Sequence, residues 1–209
     1  EDVNDYLILG ALYLRSQVTA LPSQNKDVLK TATLLLSQMR QFEKDLGQFG
    51  KDLTPPKASS FRYKHSRFTA DYHLNYGILL RAVAATLREY NPAAISKMLE
   101  YAERDALYAP IETRVGRERV LALPRKQWDR AYTDAAITHF ELALKKDRHS
   151  EAAYELIDLC ESLWDGSDNN RRALLKEMIE RHAPAYLEAP HEDQRMSRVR
   201  RVLNKVNQA

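Results

Sequence analysis

One cysteine, Cys160, is all that 209 residues contain. That excludes an internal disulfide framework and any zinc site built on cysteines. Six glycines and eight prolines are also few, which argues against a β-rich chain full of tight turns. No apolar run approaches the ~18 residues that a membrane-spanning helix needs. The longest candidates, Leu7–Leu14 and Thr33–Leu36, are short and flanked by polar groups, and the mean hydropathy is −0.55. Charge of one sign is lacking as well: a net +3 is too small to mark a nucleic-acid binder by itself. The six histidines include no pair at i, i+3 or i+4, so no helix carries a local two-histidine metal site. There is no glycine-rich phosphate loop, no Gly-x-Ser-x-Gly and no His-Glu-x-x-His. The sequence therefore calls for no metal and no cofactor, and no catalytic residue is assigned. With 44% hydrophobic and 29% charged residues, the chain can still bury a core.

What is present is helical periodicity. In Asn25–Gly50, apolar residues fall at Val28, Ala32, Leu35, Met39, Phe42, Leu46 and Phe49, a heptad seam. The preceding run repeats the pattern with Val3, Leu7, Ala11, Leu14, Val18 and Leu21, and Leu21-Pro22-Ser23 separates the two. Residues 1–50 are thus expected to form an antiparallel helical hairpin, with self-association through its seam. Residues 51–60, with Pro55, Pro56, Ser59 and Ser60, have the composition of a linker. Residues 61–209 then read as helix after helix. Ser66 or Thr69 is expected to cap a helix with Tyr72, Tyr76, Leu79, Leu80, Val83 and Leu87 on one face, and Asn91-Pro92 restarts the pattern. After a break at Pro124, helices are expected over Asp134–Lys146, Glu151–Trp164, Asn169–His182 and Glu192–Asn207. No window alternates apolar and polar residues with β-branched enrichment, so the fold class is all-α.

Ala94, Ala136 and Ala173 begin successive helices in similar ways, at the length of a helix–turn–helix repeat. Tyr132-Thr-Asp-Ala-Ala136-Ile137-Thr-His-Phe140-Glu-Leu-Ala143-Leu144 resembles the second helix of a tetratricopeptide repeat, and Glu151–Trp164 resembles the first helix of the next. Arg148 stands where the family usually has proline. The resemblance implies an irregular stack of helical hairpins that binds another protein in its groove.

Four groups of residues could meet a partner. Glu151, Glu155, Asp158, Glu161 and Asp165 recur at helical spacing, an acidic row that could face a protein. Phe61, Arg62, Tyr63, Lys64 and Arg67 interleave rings and cations, as single-stranded nucleic acid requires. Arg198, Arg201 and Lys205 line the basic side of a last helix whose apolar stripe is Met196, Val199, Leu203 and Val206. That helix is expected to close the stack and to lie against the acidic row, held by its apolar stripe, since exposed ion pairs contribute only about 0–1 kcal/mol each. Arg67 with His73 resembles the Arg-x(4–6)-His pattern of the all-helical ribonucleases called HEPN domains. That resemblance implies an arginine stabilising phosphorane charge and a histidine transferring protons. The expected function is a protein–protein adaptor or scaffold without catalysis; the alternative is an RNA- or DNA-binding helical protein, a HEPN-like ribonuclease among them. The sequence opens on Glu1-Asp2 and not on Met; the cytoplasm is the expected compartment, with a processed periplasmic or secreted form left open.

Overall fold

The computed structural model describes residues 33–38, 55–89, 104–105, 107–110, 117–146, 150–189 and 193–208. Five long helices organise them: α1 Pro55–Glu89, α2 Arg125–Lys146, α3 Ser150–Trp164, α4 Asn169–Glu188 and α5 Asp193–Asn207. Residues 33–38 are helical, and a 3-10 helix spans Arg117–Ala122. Among the described residues there is no strand, so the chain is all-α as its periodicity requires. No described helix is long and apolar enough to cross a membrane.

The stretch expected as a linker is helical from Pro55 onward. Proline is tolerated in a first helical turn, where its missing N–H would have no partner anyway. Ser66 and Thr69, expected as caps, therefore lie inside a helix of 35 residues, about 52 Å long at 1.5 Å per residue. Likewise α2 starts at Arg125, immediately after Pro124, and not at Asp134. Its added turns bury Trp128, Ala131 and Tyr132, and the Tyr132 hydroxyl donates to the Leu107 carbonyl at 2.5 Å. The α4 helix runs past His182 through Pro184 to Glu188. Pro184 and Glu180, the residue whose carbonyl loses its bond, are both exposed, so water can satisfy the freed oxygen.

The directions of the helices follow from their cross-links. Arg88 meets Asp129 at 2.7 Å, while Gly77 lies against Phe140 and His73 against His139, so α1 and α2 are antiparallel. Asp134 pairs with Arg171 at 2.7 Å and Glu141 with Arg181 at 3.5 Å, so α2 and α4 run parallel. Glu151 pairs with Arg195 and Asp165 with Lys205, so α3 and α5 do too. Turn chemistry supports the reversals. Asp168 caps α4 by accepting from the Arg171 N–H at 2.8 Å, the oxygen a helix N-terminus needs. Arg172 donates to the carbonyls of Trp164 and Asp165 at the end of α3, filling acceptors that have no partner in the helix.

One core runs through all of this, with Trp128, Tyr132, Phe140, Leu74, Leu79, Leu80 and Leu156 fully enclosed. Leu35 and Leu36 belong to it; apart from residues 33–38, the expected hairpin over 1–50 lies outside the described residues. Of the expected repeat positions, Ala136 is buried and Ala173 exposed, so those two alanines do different packing jobs; Ala94 lies outside the described residues.

The α1 and α2 helices approach closely at Gly77. A Cβ there would stand 2.5 Å from Cε1 and 2.7 Å from Cδ1 of Phe140, a ring with no exposed surface. Replacing an exposed helical glycine with alanine gains about 1 kcal/mol, but overpacking a closed core costs about 1–3 kcal/mol. Gly77→Ala is therefore expected to lower stability in urea denaturation, and adding Phe140→Leu to restore part of the loss. A stabilised Gly77→Ala protein would show that the two helices are not in contact there.

Candidate functional site

The α3 helix buries Ala152, Ala153, Leu156, Ile157, Leu159 and Cys160, and its acidic row runs beside this apolar face. Most of the row read as partner-facing is paired with cations within the chain, while Asp165 stays exposed. Arg195 reaches Glu151 at 2.6 Å, and Arg81, from α1, reaches Glu155 at 2.8 Å and Asp158 at 2.5 Å. Arg198 pairs with Asp158 and, at 3.4 Å, with Glu161. Arg201 stands 3.7 Å from Glu161 and Lys205 3.3 Å from Asp165. The physical reason is desolvation: a carboxylate pressed against a packed helix must find a cation or lose its charge. Basic α5 lies against the acidic row, as the charge placement predicts.

Burial grades this ladder. The side chains of Asp158 and Glu161 are only 11% and 17% exposed, whereas Asp165 is 83% exposed. Burial raises the Glu155 carboxyl above its usual value, against the opposing pull of Arg81. For Arg198, burial works to lower the guanidinium value, but the charges of Asp158, Tyr154 and Glu161 outweigh it and the net shift is upward. Arg195 also covers the Tyr154 ring, with its guanidinium carbon 4.5 Å from the centroid, a cation–π contact.

The apolar side of α5 anchors it. Val199, Val202 and Val206 are buried and Leu203 packs against the core; Val202 was not in the expected stripe. Fully burying a valine contributes up to about 1.5–3 kcal/mol, more than an exposed ion pair. The outer side of the helix, with Ser197, Arg200 and Asn204, is exposed, as is Gln208 just past its end.

A second cluster sits between α1 and α2. His73 and His139 meet Nδ1 to Nδ1 at 2.9 Å. The Tyr76 ring lies 4.2 Å from that of His139, and Tyr72 packs edge-on against His73 at 5.2 Å. His73 is 7% exposed. Burial, reinforced by the charge of Lys146, brings its pKa down to about 4. Burial and the neighbouring His73 bring His139 down to about 3. Both rings are neutral at pH 7. A ribonuclease histidine must trade protons with solvent near neutral pH, and His73 has neither the access nor the basicity. The side chains of Phe61, Arg62, Tyr63, Lys64 and Arg67 lie outside the described residues.

Sequence reasoning missed Arg81 and His139. Arg81 was hidden among Leu79, Leu80 and Val83, although a cation inside an apolar run is itself a sign of a buried anionic partner. His139, beside Phe140 in the run that resembles a repeat helix, was treated only as one of six scattered histidines. Among the described residues, no three His, Cys, Asp or Glu side chains are placed to hold a metal ion. Cys160 is enclosed, and burial pushes its thiol up to about 12, so it is a packing residue and not a nucleophile.

The ladder has a measurable gradient. Arg198→Gln leaves two poorly exposed carboxylates short of a cation and is expected to cost about 1–2 kcal/mol. Lys205→Gln, opposite the exposed Asp165, should stay within about 0.5 kcal/mol of wild type. This revises the expectation that all these cations matter little. Equal effects in urea denaturation would show that burial does not set the strength of the seam.

Comparison with known proteins finds no matching family model, no similar curated protein and no similar solved structure.

Proposed function

We propose that the chain is a protein–protein interaction module, an adaptor or scaffold of stacked helical hairpins of the tetratricopeptide kind, with no catalysis of its own. The alternation of helix direction from α1 to α5 supports it, with each of α1, α2 and α3 ion-paired to the next helix but one. So does the way α5 ends the stack, with its valines buried on the helices before it.

The observation that carries the proposal is the engagement of the α5 cations. Arg195, Arg198 and Arg201 face carboxylates of α3, and Lys205 faces Asp165 just past its end. A phosphate backbone is bound by cations whose counterions it displaces, and these cations already hold carboxylates in that role. The same geometry works against the nucleic-acid alternative at Arg198, Arg201 and Lys205, and the burial of His73 works against the ribonuclease. The partner is then another protein, or a second copy through the N-terminal segment, where Leu34 is exposed beside the buried Leu35 and Leu36.

Fluorescence anisotropy with labelled single-stranded RNA at low salt tests this, alongside affinity capture with and without nuclease. The expected result is no saturable RNA binding, and captured proteins that survive both nuclease and high salt. RNA binding that weakens steeply with salt, or capture abolished by nuclease, would replace the adaptor with a nucleic-acid binder.

A further inference from the structure

The His73–His139 contact has a geometry that ordinary packing does not require. The ring centroids are 5.1 Å apart while the facing Nδ1 atoms are 2.9 Å apart. The difference is about one ring radius at each end, so the two rings meet nearly end to end, nitrogen to nitrogen. Such a contact holds one proton: one ring donates Nδ1–H and the other accepts at a bare Nδ1. With both Nδ1 atoms protonated, two N–H donors would collide, and the ring that gained the proton would carry a positive charge in a buried seam. The pair sits one turn from the Gly77–Phe140 crossing, on the most extensive helix–helix contact in the described residues.

We infer that His73 and His139 form an acid-released latch between α1 and α2, closed while a single proton lies between the two Nδ1 atoms and opened when both carry one. The groups facing the pair reinforce this direction. From α2, Lys146 sets a positive charge near His73; from α1, the Tyr72 and Tyr76 rings cover the imidazoles. The carboxylates of α3 nearest to α1, Glu155 and Asp158, are paired with Arg81, two turns further along α1. The described helical residues 33–38 carry no charge.

Both rings are less basic when folded than the ordinary 6.5 of an exposed histidine. Their contribution to stability is thus complete above pH 6.5 and is lost as the pH falls from there toward about 4 and below. Each ring raises the open-to-closed ratio by up to about tenfold per pH unit in that window, and the two together by up to about a hundredfold. Glu155, held above its usual value, has the opposite sign and gains stability on acidification. His182, lowered by burial, shares the sign of the latch and must be separated from it.

The test uses the full chain. Imidazole nitrogen NMR from pH 8 to 4 should show both rings neutral down to about pH 5, with one Nδ1 protonated and the other bare. Hydrogen exchange over 73–80 should accelerate on acidification ahead of exchange over α5. A His73→Gln/His139→Gln variant should lose this pH dependence, and His182→Gln should keep it. Either ring titrating near 6.5 in the folded protein would overturn the latch, and so would an undiminished pH dependence in the double variant. If the double variant does not fold, the NMR titration of the unmodified chain decides alone.

Discussion

Carboxylates pressed against a packed helix face are the constraint that arranges the C-terminal half of this protein. The α3 helix must bury Leu156, Ile157, Leu159 and Cys160, and doing so brings Glu155, Asp158 and Glu161 out of bulk water. An uncompensated buried charge costs several kcal/mol. The chain meets that cost with cations from two sides, Arg81 from α1 and Arg195 and Arg198 from α5. Those pairings fix α3 and α5 as parallel neighbours. They also decide what α5 can offer to others, because a guanidinium facing a half-buried carboxylate is a poor ligand for a phosphate.

The α1–α2 contact works by a different physics. Here the fit is steric: Gly77 exists to let Phe140 approach, and the leucines and aromatic rings around it fill the seam. The histidine pair, a polar contact placed inside this seam, is satisfied by a single shared proton. A polar pair within such a seam is tolerated only while each nitrogen keeps its partner. The two halves therefore respond to different variables, salt and charge reversal at α3–α5, and acid at α1–α2.

Much of this was legible in the residues. All-α architecture follows from the 3–4 spacing of apolar residues, and the complementarity of α3 and α5 follows from seven acids in Asp147–Asp168 and none after Asp193. What escaped was anything that depends on a residue far away in sequence. Pro55-Pro56 has the same composition at the start of a helix as in a linker, so composition misplaced the start of α1. The helix from Asn169 was expected to end at His182, yet α4 continues through an exposed Pro184 to Glu188. His73 drew attention for its distance from Arg67, whereas its closest polar partner is His139, 66 residues on. For the acidic row, spacing shows that five carboxylates share a face but not how far solvent or another helix covers each; the structure places α5 and Arg81 along it and leaves Asp165 exposed.

The central claim is that α5 is bound to α3 through half-buried charge pairs as well as valines, which removes Arg195 and Arg198 from other uses. A double-mutant cycle on Arg198 and Asp158, using Arg198→Gln, Asp158→Asn and both together in urea denaturation, measures that pairing directly. The account predicts a coupling of about 1 kcal/mol or more, within the range found for residues in direct contact. Additivity to within about 0.3 kcal/mol, the behaviour of independent sites, would mean that the two side chains do not share a charge pair and that the cations of α5 are open to another partner.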